Sequence, residues 1–296
     1  MAPQVVVTPF FDSFSSTFSY VLHTGPGSAC AIIDPVLDYD PKAGRTGTHS
    51  AQRIVDHVRG LELDVQWIIE THAHADHLTS AAWLHEQVGG TVVIGQPITT
   101  VQRTFAGIFH LPELACDGSQ FGQLMSDGDR IALGTLQIEA LHVPGHTPAD
   151  MAYRVHTPTG QADLVFVGDT LFAPDAGTAR CDFPGGSAQD MYRSVRRLLS
   201  LPADTRIMLC HNYAEGVAAN PAAYCENTVG EHRRYNIHVH DGIALEAFVS
   251  MRQTRDATLD MPQLILPAVQ VNIRAGHLPA AESNGTRYLK IPLNVL

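Results

Sequence analysis

The chain has 296 residues, 45% of them hydrophobic, with 24 Gly, 18 Pro and a formal net charge of −11. That length admits one large domain or two small ones, and the acidic balance, with no basic run longer than a pair such as Arg233-Arg234, argues against binding a phosphate backbone. No stretch reaches the roughly 18 uninterrupted apolar residues of a membrane span, and the start, Met1-Ala2-Pro3-Gln4-Val5, has neither a basic region nor an apolar signal core; a cytoplasmic protein without nucleic-acid or membrane partners is expected.

Residues 5–8, 19–22 and 29–33 read as strands, and residues 50–58 as a short helix with Ile54, Val55 and Val58 on one face. Apolar residues 65–69 lead into His72-Ala73-His74-Ala75-Asp76-His77. Three imidazoles and a carboxylate in so short a run fit neither core packing nor a solvated turn. Imidazole and carboxylate together suit zinc, iron or manganese, whereas alkaline-earth ions call for oxygen ligands alone. Residues 78–88 follow as a predicted helix whose N-terminal end would sit near Asp76, a favourable place for negative charge. Residues 96–128, with Gln96-Pro97, Leu111-Pro112 and a polar, Gly-containing stretch over 117–122, read as a long loop with one helical turn, either shaping a channel beside the metal or lying on the surface.

Further on, the alternating segment 136–143 ends before Pro144-Gly145-His146-Thr147, apolar residues 164–167 before Gly168-Asp169-Thr170, and residues 207–210 before His211-Asn212. Ligands at the C-terminal ends of strands converge on one edge of a sheet. Residues dispersed from 72 to 211 therefore have to meet in one core, and a single domain over 1–296 is expected, with a C-terminal extension from about 240. His72, His74, Asp76, His77, His146, Asp169 and His211 are the complement of a two-metal hydrolase in which Asp169 bridges and a bridging hydroxide attacks an acyl carbon. Ser187-Ala188-Gln189-Asp190 resembles a capping box, with Asp for the usual Glu or Gln, and opens a helix over 188–199; residues 225–234 and 243–251 read as further helices. Cys30, Cys116, Cys181, Cys210 and Cys225 are odd in number and hold no C-x-x-C pair, as expected of reduced thiols. His238-Val239-His240 lies past the last ligand strand and reads as surface.

Taken together, the run through His77, the P-G-H-T and G-D-T motifs and the late strand-end His211 resemble the metallo-β-lactamase superfamily over roughly residues 5–240. Ala31-Ile32-Ile33-Asp34-Pro35 fits as well, since that family often places an Asp there to brace the metal loop. The resemblance implies an α/β fold, an αββα sandwich of two similar sheet-and-helix halves. Within it, Gly177-Thr178-Ala179-Arg180-Cys181-Asp182-Phe183 is similar to the G-x-G-R-T-D-F segment of the persulfide (sulfur) dioxygenase branch, and Val271-Asn272-Ile273-Arg274-Ala275-Gly276 to its closing N-x-R-x-G stretch. The whole arrangement most resembles that of the branch's bacterial members, including those called β-lactamase hydrolase-like proteins.

That branch implies one Fe(II) per chain, held by His72, His146 and Asp169, and oxidation of a thiol persulfide, with glutathione persulfide as the expected substrate, by O2 to sulfite and glutathione. Two His and one carboxylate leave positions for substrate and oxygen. His74, Asp76, His77 and His211 then orient ligands or waters or form the remnant of a second metal site, zinc being the substitute metal. Arg180 is the expected anchor for the carboxylates of glutathione, the alternative being a surface Arg paired with Asp182; Cys181 and Tyr213 are expected to line the thiol pocket. The family's Thr is Cys181 here, its second Gly is Ala179, and Val167 stands where some relatives have Thr. A dinuclear zinc thioester hydrolase of the glyoxalase II type, or a lactone hydrolase, is the alternative, although no dedicated helical C-terminal domain is evident. The sequence admits a homo-oligomer without fixing the oligomeric state.

Overall fold

The computed structural model describes residues 4–158 and 160–295, so the first three residues of the N-terminal stretch read above lie outside the described residues. The N-terminal half runs β1 (Val6–Asp12), β2 (Thr17–His23), β3 (Ala29–Ile33), β4 (Val36–Asp40), β5 (Arg45–Gly47), α1 (His49–Gly60), β6 (Asp64–Ile69), β7 (Leu78–Thr79), α2 (Ala81–Val88), β8 (Thr91–Gly95), α3 (Ile98–Ile108) and β9 (Gln123–Met125). The second half runs β10 (Arg130–Leu133), β11 (Leu136–His142), β12 (Met151–His156), β13 (Leu164–Phe166), α4 (Ala188–Leu198), β14 (Arg206–Met208), β15 (Glu226–Thr228) and α5 (Val229–Tyr235), followed by α6 (Leu245–Asp256) and α7 (Ile265–Asn272).

Each half builds a six-stranded sheet, ordered β1-β2-β3-β6-β8-β9 and β10-β11-β12-β13-β14-β15, while β5, β4 and β7 make a small third sheet. Period-two alternation divides each strand between two cores. Tyr20 and Leu22 of β2 join Ile33, Ile69, Ile138, Tyr153 and Phe166 between the sheets. Val21 points the other way, into a core shared with Ile54 and Val55 of α1, Phe105 of α3 and Val269 of α7. On the far side, Val165 and Ile207 pack against Met191 and Val195 of α4 and Phe248 of α6. The result is the αββα sandwich, each sheet covered on one face by helices and on the other by its partner. Tyr20 Oη ties the halves together, 2.5 Å from the Leu209 carbonyl oxygen and 3.0 Å from that of Cys225.

Several local expectations change. The stretch 96–128 carries the full helix α3 rather than one turn, with Ile98, Val101 and Phe105 buried on one face. Leu78 and Thr79 belong to β7, and α2 starts only at Ala81 behind Ser80, so Asp76 is not at a helix N-terminus. Residues 225–234 divide into β15 and α5, because Thr228 caps α5 in a reciprocal capping box with Glu231. Ser187 caps α4 as expected, its side chain accepting from Asp190 N at 3.2 Å. His238 is buried, not on the surface: its Nδ1 accepts from Thr178 N at 3.1 Å, and a Cβ on Gly177 would lie 2.1 Å from that nitrogen. Among the described residues no helix is long and apolar enough to cross a membrane, and all five cysteines are free.

Candidate metal centre

Every sequence-predicted ligand follows a strand: His72 to His77 come after β6, His146 after β11, Asp169 after β13 and His211 after β14. Parallel pairing of β3 with β6 and of β13 with β14 puts these ends on the same edge of the sandwich. Asp34, just past β3, braces the first loop as the sequence suggested. Its carboxylate accepts from Thr71 N at 2.7 Å and from Thr71 Oγ1 at 3.0 Å, and lies 3.1 Å from His74 Nε2. Glu70, which the sequence did not single out, stands 3.6 Å from the same His74 nitrogen. Burial works against charge on His74, but Asp34 and Glu70 hold its pKa well above the ordinary imidazole value.

His72, His146 and Asp169 offer ligand atoms that all lie within 4.8 Å of one another. His72 Nε2 is 4.0 Å and His146 Nε2 3.5 Å from the same oxygen, Asp169 Oδ2. The other nitrogens are taken: His72 Nδ1 meets Thr71 Oγ1 at 3.0 Å, and His146 Nδ1 lies 2.8 Å from the Arg180 carbonyl oxygen. A carbonyl only accepts, so His146 carries a proton on Nδ1, which leaves Nε2 as the nitrogen available to a metal. Burial, then the neighbouring His74, keep His72 well below the usual pKa and hence neutral. Burial pushes Asp169 up, but His211 and then His72 and His146 outweigh it and hold the carboxylate ionised. His72 Nε2, which faces Asp169 Oδ2, is buried without a hydrogen-bond partner. Buried polar atoms are rarely left so, and a buried imidazole nitrogen facing a carboxylate oxygen that a second imidazole also faces fits a metal ion.

The remaining residues gather on the other side of Asp169. His211 Nε2 lies 3.2 Å from Asp169 Oδ1 and 3.5 Å from Asp76 Oδ2; His77 Nδ1 is 3.3 Å from that same Asp76 oxygen. Thr17 Oγ1 sits among them, 3.4 Å from His77 Nδ1 and 3.3 Å from His211 Nδ1. Burial lowers the affinity of His211 for a proton, yet Asp169 and Asp76 carry its pKa up to about 9. His77 Nε2 and His74 Nδ1 are also buried and unpartnered. The seven predicted residues thus gather at one edge of the sandwich, with His72 and His146 facing one oxygen of Asp169 and His211 the other.

A cleft of about 520 Å³ opens onto His146, Asp169, Asp76 and His211 and is walled by Phe172, Phe183, Tyr213 and Arg180 among others. Tyr213 stacks on His211 with an interplanar angle of 8°, so it borders the cleft as expected. Arg180 also lines it, but the guanidinium is spent: Nε and Nη2 donate to the two oxygens of Asp182 at 2.6 and 2.7 Å, and Nη1 to the Asp260 carbonyl at 2.5 Å. This is the Asp182 pairing that stood as the alternative. Cys181 does not line the cleft. It borders a separate groove with Gly186, Gln189 and Gln253, and burial pushes its thiol pKa up, the opposite of a reactive thiolate. Arg255, overlooked in the sequence, reaches the cleft wall with no ion pair or hydrogen bond to its guanidinium among the described residues.

The family model described as the metallo-beta-lactamase superfamily matches residues 13–211. Over 99% of its length the chain is 52% identical to all of a probable metallo-hydrolase of Burkholderia pseudomallei, and over 98% it is 45% identical to a beta-lactamase hydrolase-like protein of Agrobacterium fabrum, of which it covers 65%. It is 26% identical to human mitochondrial persulfide dioxygenase ETHE1, with 92% of this chain and 89% of that protein aligned. Among solved structures, ETHE1 from Myxococcus xanthus superposes with a TM-score of 0.71 at 28% identity, covering 92% of this chain and 100% of that one.

Proposed function

The chain belongs to the metallo-beta-lactamase superfamily, and from that premise we propose that it is a persulfide dioxygenase, oxidising glutathione persulfide with dioxygen to sulfite and glutathione at one non-haem iron. The balance is RSSH + O2 + H2O → RSH + sulfite + 2H⁺: the S–S bond breaks, the outer sulfur is oxidised and dioxygen is reduced. The observation that carries the reading is the convergence of His72 Nε2 and His146 Nε2 on one oxygen of Asp169, two imidazoles and a carboxylate of the kind that holds Fe(II) in non-haem oxygenases. Likeness to two proteins named ETHE1, one of them a persulfide dioxygenase, supports it.

Iron bound there would supply the redox chemistry and the open positions for persulfide and dioxygen. The protein's own groups do the rest. Thr71 and the Arg180 carbonyl fix the two imidazoles; His211 faces the second oxygen of Asp169 and pairs in turn with Asp76 at the rim of the cleft. Phe183 lies edge-on to the His146 ring, centroids 4.9 Å apart, and Phe172 edge-on to His211 at 5.8 Å, so two apolar walls flank the polar floor where a reactive sulfur would sit. Arg255, on the cleft wall and without an ion pair among the described residues, offers a cation for a carboxylate of the carrier thiol, and Arg180 is a positioning residue.

A second reading, a dinuclear zinc thioester or lactone hydrolase, is favoured by the buried, unpartnered His77 Nε2 and by the relative named a probable metallo-hydrolase. Anaerobic preparation, elemental analysis and an oxygen electrode separate the two. About one iron per chain with oxygen uptake on glutathione persulfide supports the dioxygenase; two tightly held zinc ions with turnover of an acyl-glutathione in the absence of oxygen overturn it.

A further inference from the structure

We propose that α6 and α7, beyond the residues matched by the family model, form a two-point clamp on the metal-bearing loops, with Asn272 and the Arg252–Asp256 pair as positioning residues. The inference rests on the assignment of His72, His146 and Asp169 as ligands, not on the reaction. At the first point, Asn272 is buried and its amide is wholly spent on the turn that carries the ligand run. Nδ2 donates to the carbonyls of His74 and His77, both at 2.8 Å, and Oδ1 accepts from Thr79 N at 2.8 Å. One side chain thereby fixes both ends of the segment from His74 to Thr79.

The second point acts on His146. Arg252, 1% exposed, pairs with Asp256 one helical turn away, Nε to Oδ1 at 2.8 Å and Nη2 to Oδ1 at 2.7 Å. Arg252 Nη1 donates to the Thr178 carbonyl at 3.1 Å, and Asp256 Oδ2 accepts from Cys181 N at 2.9 Å. These anchors flank Arg180, whose carbonyl oxygen holds His146 Nδ1 at 2.8 Å. The buried pair thus sets the backbone oxygen that selects the His146 tautomer and aims its Nε2. A buried ion pair adds little net stability over an apolar pair of like volume, because desolvation offsets the attraction; what it contributes here is the position of two backbone groups.

The test uses the full-length protein and Co(II) as the probe, read by equilibrium titration and by its visible absorption spectrum. Arg252→Met with Asp256→Leu removes the charges without opening a cavity, and Asn272→Ala removes the other contact. Both should fold, by circular dichroism of the metal-free protein, yet bind Co(II) about 10- to 100-fold more weakly, as losses of outer ligand supports do, with a changed spectrum. Wild-type affinity and spectrum in both folded variants would overturn the clamp. Should the apolar pair fail to fold, Asp256→Asn, which keeps an acceptor for Cys181 N but cancels the ion pair, takes its place under the same criterion. Failure of the ligand assignment is distinguishable, because wild-type Co(II) binding would then be indifferent to His72→Ala.

Discussion

Gly168→Ala is the sharpest test of how tightly the Asp169 turn is built onto the first metal loop. Gly168 has φ +52°, and a Cβ there would sit 2.8 Å from Thr71 Oγ1, 2.9 Å from Thr71 Cβ and 3.4 Å from His72 Nδ1. Left-handed backbone costs an L-residue about 1–2 kcal/mol, and forced repacking of a dense site adds about 1–3 kcal/mol. The expected loss of about 2–5 kcal/mol is large against a typical stability of about 5–15 kcal/mol. Thr71 is not free to yield: its Oγ1 bonds Asp34 at 3.0 Å and meets His72 Nδ1 at 3.0 Å, so relief of the overlap moves a ligand. Metal affinity should fall with stability, by about 10- to 100-fold. Gly128→Ala is the control, with φ +81° and nothing within 4 Å of the added Cβ, and should lose only the backbone contribution and no metal affinity. Urea unfolding of the metal-free proteins and Co(II) titration give both quantities. Equal stability losses in the two variants, with unchanged metal binding, would refute the claim of a rigid contact.

Substituting His72, His146 or Asp169 with Ala should abolish metal retention, whereas His77→Ala and His211→Ala should keep one metal and lose about 10- to 100-fold in activity; equal loss of metal in all five would establish a dinuclear site. Arg255→Ala should raise the apparent KM for glutathione persulfide with kcat little changed, while Cys181→Ser keeps most of the oxygen uptake; inactive Cys181→Ser with iron bound would contradict a metal-only mechanism. In metal-free protein the raised pKa of His211, about 9 against an ordinary 6.5, contributes stability that is complete below about pH 6.5 and is lost as pH rises through 9. Urea midpoints between pH 6 and 9.5 should therefore fall more steeply for wild type than for His211→Asn, and parallel curves would remove His211 from the account.

The ligand residues were legible because their chemistry is local: the His-rich run, P-G-H-T, G-D-T and His211 each announce themselves directly after an apolar strand. The sandwich followed from where those strands had to meet. Helix α3 was hidden by Pro97 at its start and by Thr99, Thr100 and Thr104, which favour other conformations, although Ile98, Val101 and Phe105 carried helical spacing. Arg180 looked like an anchor because sequence shows its charge but not its commitments; Asp182 was visible nearby, Asp260 was not. His238 lies past the last ligand strand, and nothing local in the sequence shows that the space left by Gly177 and the Thr178 N–H receive its ring. Asn272 stood in a recognised stretch, but nothing local says that an amide so far along the chain fastens the ligand turn.

That fastening has a consequence for the order in which the protein is made. Asn272 and its partner His74 are 198 residues apart. At about 5–20 residues per second of synthesis, the ligand run is made roughly 10 to 40 seconds before the residue that fastens it, and well before His146, Asp169 and His211. A growing chain thus displays a cluster of unsecured imidazoles to whatever ions the surroundings offer, at a stage when nothing in its architecture can choose among them. Any choice among ions that depends on this fastening has to wait until the chain has been made through Asn272.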